Sequence, residues 1–122
     1  MRRIIVLTGN GKGKTSSAIG ASVRALGRDF KVLFYQFIKS SDVDYGEHVF
    51  FKNGRKLKML RFGLGCRKDF NYSDQDKKAA VNGLKKISKE LCSVKTKNVL
   101  CVMDEISYPV NWSWFRDRKS TR

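Results

Sequence analysis

Histidine is almost missing from this chain: of 122 residues, only His48 carries an imidazole. That count leaves no histidine-based metal site. A Ser/His/Asp triad or any other nucleophile–histidine pair would have to use His48, and nothing around it suggests one. Cysteine is scarce as well. Cys66, Cys92 and Cys101 are odd in number and too widely spaced for a zinc site or a redox pair. Cys101 lies inside an apolar run and reads as a small core residue. No apolar run approaches the roughly 18 residues of a membrane span. Arg2 and Arg3 precede only four apolar residues, too few for the apolar region of a signal peptide, so the chain reads as cytoplasmic. Repeats and low-complexity segments are absent. Acidic residues are few, 11 against 26 basic ones, and the net charge is +15. Such a charge attracts nucleic acid without specificity. The lysines are scattered along helices and turns, however, so they read as solvated faces and nucleic acid is not the expected partner.

What is present is a loop for phosphate. Thr8-Gly9-Asn10-Gly11-Lys12-Gly13-Lys14-Thr15 directly follows the apolar run Ile4-Ile5-Val6-Leu7. Glycines let backbone N–H groups approach an anion, and the following helix points its positive end at it. Lys14 supplies a point charge, the Thr15 hydroxyl suits Mg²⁺, and Ser16 continues the helix start beside them. A Gly-Lys-Thr tripeptide alone is weak, but strand before, helix after and three glycines strengthen it. The strict pattern begins with Gly, where this chain has Thr8.

Residues 3–7 are expected to form a buried strand and residues 14–26 a helix stopped by Gly27. Residues 31–38 are strongly β-prone, so strand, helix and strand make a βαβ unit with parallel strands. Residues 39–56 read as a surface loop with a short strand at 49–51. A third strand spans 57–62, and Ser73 caps a helix running to about Leu91. Residues 99–103 then read as a fully buried strand closed by Asp104 and Glu105. Alone, Asp-Glu after a strand is commonly just a turn. Beside the loop it reads as a second phosphate-site motif, with Asp104 holding Mg²⁺ opposite Thr15 and Glu105 a further ligand.

These residues, taken together, resemble one family. The loop followed by Arg24-Ala25-Leu26-Gly27, Lys31-Val32 running into Gln36-Phe37-Ile38-Lys39, Gly46-Glu47, and Asp104-Glu105-Ile106 with Tyr108 are similar to the ATP:corrinoid adenosyltransferases of the BtuR/CobO type. Thr in place of the first loop glycine is typical there. The resemblance covers residues 3 to about 111. It implies an α/β, P-loop NTPase-like (RecA-like) fold, a mostly parallel sheet flanked by helices and incomplete at its C-terminal side. It also implies transfer of the 5′-deoxyadenosyl group of ATP to the reduced cobalt of a corrinoid, with release of triphosphate, in cobalamin biosynthesis or salvage. ATP is then the co-substrate, Mg²⁺ the cofactor and the corrinoid the substrate. By this resemblance Asn10 sits at the nucleotide and Arg24 reaches the triphosphate from the helix. Lys12 and Lys14 neutralise the leaving group, Glu105 helps bind Mg²⁺, and Lys14 and Glu105 carry the catalysis. A flavodoxin-like reductant and a homodimer are family-level expectations.

Three departures stand out. By the resemblance, many relatives carry an N-terminal extension that covers the corrin ring, and this chain, read as starting at its first strand, is expected to lack it. Where the family has aromatics just after the glycine matching Gly65, this chain has Cys66-Arg67-Lys68. Phe70 and Tyr72 come later, either on the corrinoid side or packed beneath the helix starting at Ser73. Finally, residues 112–122 show no recognisable continuation of the nucleotide-binding unit at 1–111. The expectation is a frameshift over that tail, which the coding DNA would settle. A chain so shortened is expected to be marginally stable and weakly active or inactive. The competing readings are a nucleoside kinase and a P-loop ATPase or nucleic-acid-associated ATP-binding module.

Overall fold

The computed structural model describes residues 3–9, 11–40, 42, 44–52, 54, 56–63, 72–95 and 97–115. The strongest β signal in the sequence becomes the central strand, β1 (Lys31–Phe37), preceded by the helix α1 (Lys14–Leu26). After it come α2 (Gly46–Phe51), β2 (Leu57–Phe62), α3 (Asp74–Ser93), β3 (Val99–Asp104) and α4 (Ser107–Asn111). The three strands form one parallel sheet in the order β2-β1-β3. This is an α/β sheet flanked by helices, as the sequence pattern implies.

β1 is buried from Val32 onward because a central parallel strand is covered on both faces. Alternation divides its side chains. Leu33, Tyr35 and Phe37 pack with Ala80 and Ile87 of α3, whereas Val32 and Phe34 pack with Ala18 of α1. Gln36 has the parity of Val32 and Phe34, so it falls on the α1 face, near the start of that helix. α3 starts in a reciprocal cap: Ser73 N–H donates to Asp76 at 2.9 Å, and Asp76 N–H donates to the Ser73 hydroxyl at 3.4 Å. α3 lies close to the sheet at Gly83, where an added Cβ would stand 2.5 Å from the Phe62 ring. Trp112, Trp114 and Phe115 pack partly buried against the α3-side core.

Three expectations are corrected. Residues 3–7 form no strand, and Ile4, Ile5 and Val6 are 92%, 81% and 76% exposed. The βαβ reading made them a strand of the same sheet, but both edges of β1 are taken by β2 and β3, and residues 3–7 pair with neither of the outer strands. Residues 49–51 are the end of α2 rather than a strand. The helix is nucleated upstream, where His48 reaches back to accept the Tyr45 N–H at 2.9 Å, as the third helical residue does in a capping box. β3 is half-buried, not fully buried, because it pairs with β1 alone among the described strands; Met103 is 39% exposed.

At the C-terminal ends of the strands the backbone bends sharply. Ile38 has φ 67 and Glu105 φ 61, in the left-handed region that side chains avoid. A Cβ at Gly63 would stand 2.8 Å from the Ile38 Cα, so the chain leaving β2 can pass Ile38 only as glycine. These bends throw Lys39 and Glu105 toward the same end of the sheet as Asp104.

Candidate nucleotide site

The N-terminus of α1 is left open by its sequence. Gly13 is its N-cap at φ 106, no side chain caps the first turn, and no acidic residue stands in it. The first-turn N–H groups are thus available to an anion, in contrast with the closed start of α3. Gly9, at φ 131, supplies a second left-handed step. The Lys14 ammonium folds over the loop, donating to the carbonyls of Gly9 at 2.7 Å and Gly11 at 2.9 Å. Thr8, Gly11, Lys12 and Ser16 are exposed along the same rim. A groove of about 380 Å³ runs here, bordered by Thr8, Lys12, Lys14 and Ser17 with Val6 and Leu7 on its apolar side. A larger hollow of about 510 Å³ lies between α2 and β2, walled by Lys52, Lys58 and Arg61. None of the loop residues lines it, so the smaller groove is the one that meets the chemistry.

Asp104 ends β3 against this loop. The Thr15 hydroxyl lies 3.0 Å from Asp104 Oδ2 and 3.2 Å from Oδ1. Gln36 Nε2 donates to Oδ2 at 3.3 Å, and Lys39 Nζ stands 3.9 Å from the same oxygen. Lys39 is also 3.8 Å from Glu47 and 5.2 Å from the Tyr45 ring centre. Glu105 is half-buried on the next residue. Burial, and then the neighbouring Asp104 charge, raise its carboxyl above the ordinary value, while Lys39 and Lys14 pull it down. A carboxylate and a hydroxyl in contact are hard oxygen donors of the kind magnesium takes alongside substrate phosphates. Among the described residues no group of three or more His, Cys, Asp or Glu gathers as a metal cage. Magnesium held mainly by phosphates needs none.

The structure thus brings together Lys14, Thr15, Asp104 and Glu105. It does not bring Arg24 to them. Arg24 is exposed in the last turn of α1, about 15 Å along the axis from Lys14 at 1.5 Å per residue. Asn10 and Phe70 lie outside the described residues. Tyr72 packs in an aromatic cluster, 4.7 Å from Trp112 and 6.2 Å from Trp114 between ring centres. Of the two places open to it, this is the packed one.

Sequence reasoning missed Gln36, Lys39 and His48 as site residues. The quoted motifs contained the first two without a role. The signal available was a polar side chain in an otherwise apolar β-prone run, a cost in a core unless it is paired.

A profile of the family described as ATP:corrinoid adenosyltransferase BtuR/CobO/CobP matches residues 1–121. The chain is 27% identical over 114 residues to a corrinoid adenosyltransferase of Escherichia coli K12, covering 91% of this chain and 55% of that protein. It is 29% identical over 113 residues to the corrinoid adenosyltransferase CobA of Salmonella typhimurium, with the same shares of 91% and 55%. Against a corrinoid adenosyltransferase of Pseudomonas aeruginosa, identity is 51% over 49 residues, 40% of this chain and 24% of that one. The chain spans about half the length of the curated relatives it matches across most of its own length.

Proposed function

The chain belongs to the ATP:corrinoid adenosyltransferase family BtuR/CobO/CobP, and we propose that it takes part in transferring the 5′-deoxyadenosyl group of ATP to a corrinoid. The observation that carries this reading is the contact of Thr15 with Asp104 at the open start of α1, beneath Lys14. Reduced cobalt of the substrate is itself the nucleophile. Its electron pair forms the Co–C5′ bond while the C5′–O bond breaks, and that bonding pair leaves on the triphosphate. No protein base is required, which suits a site without a histidine at the loop. The work left for the chain is to grip the leaving group and neutralise its charge. The α1 amides, Lys12 and Lys14 do this, with Asn10 beside the nucleotide. Thr15 and Asp104, with Glu105 adjacent, would hold magnesium, which when bound screens the polyphosphate charge.

Residues 1–111 form the nucleotide-binding unit in this reading and 112–122 a tail of different character. A flavodoxin-like reductant, a homodimer and a cytoplasmic location go with the same proposal. Phe70 is the candidate nearest the corrinoid, Tyr72 being engaged with Trp112 and Trp114. Among the described residues, no helix is long and apolar enough to cross a membrane. The test is incubation with Mg-ATP and chemically reduced cobalamin. Adenosyl transfer gives the absorbance change of a new carbon–cobalt bond together with free triphosphate. ADP with phosphate, or ADP with a phosphorylated acceptor, would instead point to an ATPase or a kinase.

A further inference from the structure

Gln36 is a fully buried amide in the central strand, a position tolerated only when both of its ends are paired. Both are. Its Oε1 lies 2.6 Å from His48 Nε2, and its Nε2 lies 3.3 Å from Asp104 Oδ2. The ring of His48 settles which way the amide points. His48 Nδ1 accepts the Tyr45 N–H at 2.9 Å and so carries no proton. In the neutral ring the proton is then on Nε2, which donates to Gln36 Oε1 and leaves the Gln36 NH₂ for Asp104. Burial first, and then the Arg61 charge, hold His48 below its ordinary pKa and favour this neutral ring. The geometry follows from sheet register. Gln36 and Asp104 are direct partners across β1 and β3, so their side chains share one face.

The two oxygens of Asp104 are consequently unequal. Oδ2 receives Gln36 and Thr15, with Lys39 at 3.9 Å, whereas among the described residues Oδ1 has the Thr15 hydroxyl alone, at 3.2 Å. Resting on the reading that this site takes Mg-ATP, we propose that Gln36 is a positioning residue held in its sense by His48. It fixes the rotation of the Asp104 carboxylate so that Oδ1 is the oxygen open to magnesium. Supporting side chains of this kind set metal affinity without touching the metal.

Because His48 is the only histidine, its ring signals need no assignment. In ¹⁵N-histidine NMR of the ligand-free chain, the neutral Nε2–H tautomer is expected; the Nδ1–H tautomer overturns the inference whatever ATP does. Adding Mg-ATP should shift the His48 Nε2 resonance, and ATP with a chelator should not. If the loop amides respond to Mg-ATP while His48 stays silent, or answers both forms alike, this inference alone falls. If no loop amide responds to either form, the nucleotide reading falls and takes this one with it. In calorimetry, Gln36→Leu, which keeps the bulk and removes the donor to Asp104, should raise the half-saturating magnesium for ATP binding about tenfold or more, leaving affinity for chelated ATP nearly unchanged. His48→Ala should move it the same way by a smaller factor, and His48→Gln, which keeps a donor toward Gln36, should restore it. A magnesium dependence unaltered in these folded variants is the overturning result.

Discussion

Thr15, in the first turn of α1, and Asp104, the last residue of β3, meet through a hydroxyl that reaches both carboxylate oxygens across 89 residues of sequence. The contact ties the helix start to the strand end and sets a hydroxyl and a carboxylate side by side. Thr15→Val keeps the shape and removes the hydroxyl. A part-buried hydrogen bond to a charged group is worth about 1–2 kcal/mol, so urea unfolding should show a loss of that order with the fold retained. Calorimetry should show weaker ATP binding in magnesium and little change in chelator.

Lys14 is expected to matter for ligand far more than for folding. Its two hydrogen bonds to loop carbonyls are exposed. Lys14→Ala should leave the unfolding midpoint within about 0.5 kcal/mol of the parent. ATP affinity should drop roughly tenfold or more, ~1.4 kcal/mol at least, because a charge-assisted phosphate contact is lost.

Gly83 predicts the opposite profile. Alanine is the better helix former by about 1 kcal/mol. Its Cβ, however, would lie 2.5 Å from the Phe62 ring, which stacks on Tyr35 at 5.9 Å and meets Phe37 at 5.5 Å. Overpacking of that sort costs about 1–3 kcal/mol and outweighs the propensity gain. Gly83→Ala should therefore lower stability in urea by a net amount of about 1 kcal/mol, with nucleotide affinity unchanged in the folded fraction.

Acid should weaken the fold in two stages. The folded pKa of His48 is lowered by burial, with Arg61 and Lys39 adding to the effect and Glu47 and Asp44 opposing it. A depressed folded pKa means that the unfolded chain takes the proton first. Stability is therefore full above the ordinary value of 6.5 and is lost as pH falls through the folded pKa. Glu90 is also lowered: burial pushes it up, but hydrogen bonds from Lys58 and Tyr35 more than offset that. Its contribution is full above 4.5 and is lost on further acidification. Glu105, raised by burial and Asp104, takes its proton first in the folded chain, so it adds stability as pH falls from its folded pKa to 4.5, above the window in which Glu90 acts. Urea midpoints measured across pH should show His48→Gln flattening the upper step and Glu90→Gln the lower one.

Local signals made much of the molecule legible in the sequence. α1 begins after a glycine-rich loop and stops at Gly27, α3 announces itself with Ser73 and Asp76, and β2 and β3 occupy the expected runs, all set by neighbours a few residues apart. The uncapped start of α1 was legible for the same reason, since its glycines and Lys14 lie within a few residues of one another. The tertiary structure alone decided the rest. An apolar segment becomes a strand only by pairing with a partner, and local composition does not supply one, so Ile4, Ile5 and Val6 stay outside the sheet and exposed. The chain from His48 through Gln36 to Asp104 spans 12 and then 68 residues. It exists because parallel register sets Gln36 beside Asp104 and α2 lays one imidazole over that amide, a long-range pairing that no local pattern of residues encodes.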